Sequence, residues 1–165
     1  MKETPTEKKI FENFLPGKIS RTGFLGYDQR HIHDIIQADE RALSQLGVTR
    51  EMIAEKLQYF IEQGKPGLES KVELENFSVQ LQWSRGNIPC PFGEPGLHPK
   101  IVATVINKKQ QRQIQYSQLN VHMIRVHGFF EGIGSAFRLA PTELVKFLEL
   151  NDNSLSATPE RQSVA

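Results

Sequence analysis

The chain has 165 residues, 38% of them hydrophobic and 24% charged, with 10 Phe, which fits one domain that buries its own core and excludes a chain disordered throughout or a coiled coil. No run of about 18 apolar residues exists, and Lys8, Lys9, Glu12 and Lys18 stand where a signal peptide would need apolar residues, so a cytoplasmic protein with no membrane span is expected. The single Cys90 excludes an intrachain disulfide and every zinc motif built on a Cys-x-x-Cys pair.

Residues 1–26 carry Pro5, Pro16, Gly17, Gly23 and Gly26 and a small apolar cluster at Ile10, Phe11, Phe14 and Leu15, which predicts an irregular N-terminal arm with about one helical turn. A helix is predicted from an N-cap at Asp28, with Ile32, Ile35, Ile36, Leu43 and Leu46 on one stripe and Gly47 at its end. Asp39 falls on that stripe and is expected at the helix rim rather than in a buried pair. Thr49 caps a second helix with the stripe Ile53, Leu57, Phe60 and Ile61, closed by Gly64, Pro66 and Gly67. The hairpin of helices around "LGVT" superficially suits a helix-turn-helix reader of DNA. Residues 27–70, however, hold five basic against eight acidic side chains, which repels phosphates and makes nucleic acid an unfavoured partner.

From Lys71 the apolar period becomes two: Val72 and Leu74, then Phe77, Val79, Leu81 and Trp83 after a slip of phase near Asn76, which predicts a bulged strand or two short ones. Residues 85–99, "RGNIPCPFGEPGLHP", are predicted as a long loop because of their four prolines and three glycines. Ile101–Ile106 and Gln113–Tyr116 flank the polar tip "NKKQQR" as a hairpin. Ser117 is a candidate cap for a helix to about His127, with a strand as the alternative over 118–127. "GFFEGIGS" interrupts the chain, and Pro141 opens a last helix with Leu144, Phe147 and Leu148 on one face. The resulting fold is α+β: a helical hairpin, a small, mostly antiparallel sheet, and two C-terminal helices packed on it. Residues 27–150 form one globular domain, and 151–165 are expected to be a disordered tail.

Between Leu97 and Ala140 six basic residues face only Glu131, a net charge of plus five, which favours an anionic ligand or the acidic face of a partner. The glycine-rich turn after His127 could offer backbone amides as an anion nest. The candidate binding residues are Arg125, His127, Gly132, Gly134, Ser135 and Arg138. No Walker or dinucleotide motif is complete. The five histidines contain no zincin spacing, and His122 and His127, five apart, lie about 140° apart on a regular helix, too far round to share one ion. His31 and His33 do not share a face on the helix predicted there. No local motif therefore defines a metal site. One would have to assemble from separate elements, with Cys90, His98, His122 and His127 as candidate ligands. Cys90, stiffened between Pro89 and Pro91, is alternatively an inert buried thiol or a nucleophile.

The stretches "FLGYDQRHIHDII", "IPCPFGEPGLHPK" and "HMIRVHGFFEGIGSAFRL" resemble an uncharacterised family of small bacterial proteins with no assigned activity. The resemblance implies a bacterial source and a compact domain, and brings no cofactor or catalytic residue with it. Three functions remain open. The first is a ligand-binding or regulatory domain with a small anionic-ligand pocket between loops 86–99 and 127–138. The second is a metal- or thiol-dependent enzyme using Cys90 with His122 or His127 and Glu131 as orienter. The third is a homo-oligomer in which the basic segment of one copy meets the acidic hairpin of another.

Overall fold

The structure, a computed structural model of the chain, describes residues 4–150, so the tail expected over 151–165 lies outside the described residues. The N-terminal arm contains more helix than its composition suggests. Helix α1 (Pro5–Glu12) starts with a capping box between Thr4 and Glu7 and has proline in its first turn. Beyond it the chain turns back on itself, and Phe14 is fully buried while Leu15 stays exposed.

Helix α2 (Ile32–Leu46) begins three residues later than an Asp28 cap would place it. Its N-cap is His31, whose Nδ1 accepts the N–H of His33 at 3.2 Å, and the two rings stack 5.0 Å apart. Gly47 ends α2 in the left-handed conformation, and Thr49 caps α3 (Arg50–Gly64) through the N–H of Met52. Asp28 serves instead as an anchor: it accepts Arg30 Nη2 at 2.6 Å and the N–H of Ile133 at 3.1 Å. Asp39 also departs from expectation. It is 4% exposed and held by Arg138 through two bonds, 2.6 and 3.0 Å long, because the turn after residue 130 brings that guanidinium over the stripe of α2.

The sheet is an antiparallel meander in the order β1 (Val72–Leu74), β2 (Phe77–Pro89), β3 (Leu97–Asn107) and β4 (Arg112–Ser117). The Pro-rich segment is largely strand. β2 and β3 stay paired to Pro89↔Leu97 after an irregularity between Trp83 and Asn87, so only seven residues, 90–96, form the loop. Ser117 caps α4 (Gln118–His122) with a capping box to Asn120, which decides for helix over strand there. The helix then widens into a π turn over Met123–His127, and Gly128, at φ 68°, stops it. Helix α5 (Pro141–Leu148) follows. Among the described residues no helix is long and apolar enough to cross a membrane.

Two apolar clusters divide the interior. The larger lies between α3, α5 and one face of the sheet, where Ile101, Ala103 and Val105 alternate inward and the buried Tyr116 hydroxyl donates to the Leu57 carbonyl at 2.7 Å. The smaller joins the arm to α2 and α4 through Phe14, Phe24, Ile35, Leu119, Met123 and Phe129, and Cys90 belongs to it. This second cluster carries the candidate site.

Candidate metal centre

Cys90 follows the last residue of β2, where the chain enters a tight turn closed by the Gly93 N–H on the Cys90 carbonyl at 3.1 Å. Gly93 sits at φ 89°, a conformation that favours glycine. This turn reverses the chain so that Glu94, four residues on, returns to the side of Cys90. Asn13 of the arm clamps the same turn by donating to the Pro91 carbonyl at 3.1 Å.

Opposite the loop stand His122 and His127. Their spacing of five fails on an α-helix, but the intervening helix is not regular: His122 is the last residue of α4 and His127 the last of the π turn. A π turn bonds residue i to i+5, so the neighbour one turn away on the same side is the fifth residue rather than the fourth. Both Nε2 atoms accordingly reach the same oxygen, Glu94 Oε1, at 2.6 Å from His122 and 2.7 Å from His127. The ligand atoms of Cys90, Glu94, His122 and His127 all lie within 4.8 Å of one another. Phe92 fixes one of the rings by stacking flat on His127, centroids 3.9 Å apart and planes within 9°, and is itself held edge-on by Phe14 and Phe129.

The four groups also satisfy one another electrostatically. Burial raises the Glu94 carboxyl, but hydrogen bonds from Cys90, His127 and His122 outweigh it and bring the pKa down to about 2. Burial and the adjacent Glu94 carboxylate push the Cys90 thiol up to about 12. A thiol that is 2% exposed and so hard to ionise is a poor nucleophile at neutral pH unless a cation replaces its proton. Side-chain exposures of 20% for His122, 19% for His127 and 31% for Glu94 leave one side of the cluster open to solvent.

No family model, no curated protein and no solved structure matches the chain. The site therefore rests on its own geometry.

Of the candidate ligands, three converge. His98 stands outside the set, its ring 4.3 Å from that of His122, and burial together with the neighbouring His122 lowers its pKa. Glu94 was not among the candidates. Its signal is the turn "CPFG" ahead of it, which makes Cys-x-x-x-Glu a folded-back pair rather than an extended one.

The candidate anion-binding residues are placed differently. Arg125 is exposed. Arg138 is engaged by Asp39 and by the Glu131 carbonyl at 2.8 Å. The Gly132 N–H donates to the Phe24 carbonyl, and a Cβ on Gly132 would stand 2.3 Å from the Leu25 carbonyl oxygen. Gly134, at φ 93°, is covered by the Tyr27 ring. The amide of Ile133 already holds an anion, the Asp28 carboxylate. Glu131 does not orient a histidine. It is 2% exposed and accepts Ser135 Oγ at 2.5 Å and Asn120 Nδ2 at 2.6 Å. Asn120 in turn forms the α4 capping box, so Glu131 anchors the start of the helix that carries His122.

Proposed function

We propose that this protein is a mononuclear transition-metal protein whose ion is held by Cys90, Glu94, His122 and His127. The observation that carries the reading is the π turn, a rare departure from the α-helix that brings two histidines five apart onto one carboxylate oxygen beside a buried cysteine. One thiolate, two imidazoles and one carboxylate form a donor set for Zn2+ or Fe2+, whereas Mg2+ and Ca2+ prefer all-oxygen shells.

The dimensions fit after a small expansion. Metal–nitrogen and metal–oxygen bonds of ~2.0–2.2 Å in a tetrahedron require ligand atoms about 3.3–3.6 Å apart. The present 2.6 and 2.7 Å contacts thus have to open by roughly 0.6–1.0 Å, a movement within reach of the flexible Glu94 side chain. When bound, the ion displaces the Cys90 proton and supplies Lewis-acid character. The partial exposure of Glu94 supports a centre that can exchange this oxygen for water or substrate, and so favours the metal-dependent enzyme over a purely structural closure.

The test is metal analysis of protein purified without an affinity tag or chelator, followed by Co2+ titration of the stripped protein. The reading expects one ion per chain and a thiolate-to-cobalt charge-transfer band that Cys90→Ser abolishes and His98→Ala retains. Protein that is metal-free as isolated and takes up neither Zn2+ nor Co2+ refutes it.

A further inference from the structure

A cavity of about 230 Å3 lies apart from the metal ligands, between the arm, the start of β3 and the turn 131–137. Its body is apolar, with Phe24, Ile88, Ile101, Leu119 and Phe137 in the wall. At that size it falls between a cavity of ~150 Å3 that takes up benzene and the ~300 Å3 lower end of drug-sized pockets. That size fits a molecule whose apolar part is about one phenyl ring or one short acyl chain.

Polarity is distributed unevenly around it. The buried acidic residue of the wall, Glu131, accepts from Ser135, Asn120 and the Phe137 N–H. An inward-directed carboxylate would meet this second carboxyl group and no cation. The exposed wall holds Lys100. Two more exposed cations are next to wall residues in the chain, Arg21 between Ser20 and Thr22, and Arg85 after Ser84. None of the three has an ion pair among the described residues. By contrast Lys65, Lys108, Arg112 and Arg138 are each matched with a carboxylate.

We propose that this cavity binds a small monocarboxylate, with its apolar body among Phe24, Leu119 and Phe137 and its carboxylate at Lys100. The order of the two ends follows from the wall: a carboxylate directed inward meets Glu131, whereas one directed outward meets uncompensated positive charge. Glu131 itself adopts φ 68°, a left-handed conformation unusual for a non-glycine residue, so the turn holds a carboxyl in this wall at a conformational cost. This site is independent of the metal reading, since it uses none of the four ligands.

The experiment is calorimetric titration of the full chain, with and without EDTA, using benzoate and hexanoate and their neutral amides. Acids that bind, with amides several-fold weaker, support the proposal. Lys100→Gln, at an exposed position, is expected to weaken the acids about fivefold, as for an ion pair at a partly exposed site. Val102→Phe, which narrows the wall, is expected to abolish binding. Should Val102→Phe fail to fold, amide chemical shifts at Phe24 and Phe137 on titration of the wild-type chain locate the ligand instead. Absence of binding by either acid overturns the proposal, as do amides that bind equally well, an unchanged affinity in Lys100→Gln, or shifts confined elsewhere. Binding that disappears with EDTA and in His127→Ala assigns the carboxylate to the ion, which overturns the cavity proposal and leaves the metal centre standing. Binding without any metal uptake supports the cavity while refuting the metal centre.

Discussion

Replacing Arg138 by Met keeps the length of the side chain and removes its charge. Three contacts disappear: Nη1 to Asp39 Oδ2 at 2.6 Å, Nη2 to Asp39 Oδ1 at 3.0 Å and Nη1 to the Glu131 carbonyl at 2.8 Å. The Asp39 carboxylate, 4% exposed, is then left inside the protein without a counter-charge. Breaking one side of a buried pair costs about 3–5 kcal/mol, and because the Arg138 side chain is 15% exposed, solvent recovers part of that and the lower end of about 3 kcal/mol applies. For a chain of this size each kcal/mol moves the midpoint by ~2–4 °C, so a fall of about 6–12 °C is expected in thermal unfolding at pH 7. The double variant Asp39→Leu, Arg138→Met should recover most of the loss, since two apolar groups leave no charge behind. A single variant that melts within about 2 °C of the parent at pH 7 would refute the reasoning.

Glu131 makes a pH-dependent contribution of the opposite sign to that of a salt-bridged acid. Burial raises its folded pKa above the ordinary 4.5, so the stability it contributes is complete below that value and is lost as pH rises through the raised folded value. Glu131→Gln should flatten the decline in urea midpoint from pH 4.5 upward, and an unchanged slope would contradict this assignment. Gly132→Ala places a Cβ 2.3 Å from the Leu25 backbone oxygen and should cost about 1–3 kcal/mol in urea unfolding, whereas a neutral result would mean that the arm does not press on this turn. Phe92→Leu removes the ring that holds His127 flat and should weaken Zn2+ about tenfold in a competition titration, at the lower end of what outer groups contribute to a metal site. Unaltered affinity would show that the stack does not orient the ligand.

Local signals account for most of the secondary structure. Thr49, Ser117 and Gly47 act as caps within reach of their own helices. The α3 stripe is buried as its spacing selects, and in α2 Ile32, Ile35 and Leu43 are buried while Ile36 and Leu46 are half-buried. What was not legible depends on partners distant in sequence. Asp39 looks like a rim residue until Arg138, 99 positions later, reaches it. Prolines 89 and 99 suggest a loop, yet both are tolerated in strands because β1 and β4 do not extend alongside that end of the β2–β3 hairpin, so a missing N–H can face the unpaired side. The same applies to the candidate site. Cys90, His122 and His127 were visible as chemistry, but the α-helical period set the two histidines on different faces. Only the π turn, stopped at Gly128 against Arg50, shows them side by side, and only the turn at Gly93 adds Glu94.

The most direct test of the central claim is X-ray absorption fine structure at the zinc edge of the loaded protein. The metal centre predicts one sulfur at about 2.3 Å with nitrogen and oxygen neighbours at about 2.0–2.2 Å, and loss of the sulfur shell in Cys90→Ser. A shell made only of oxygen and nitrogen in the parent protein, or a sulfur that persists in Cys90→Ser, would contradict it.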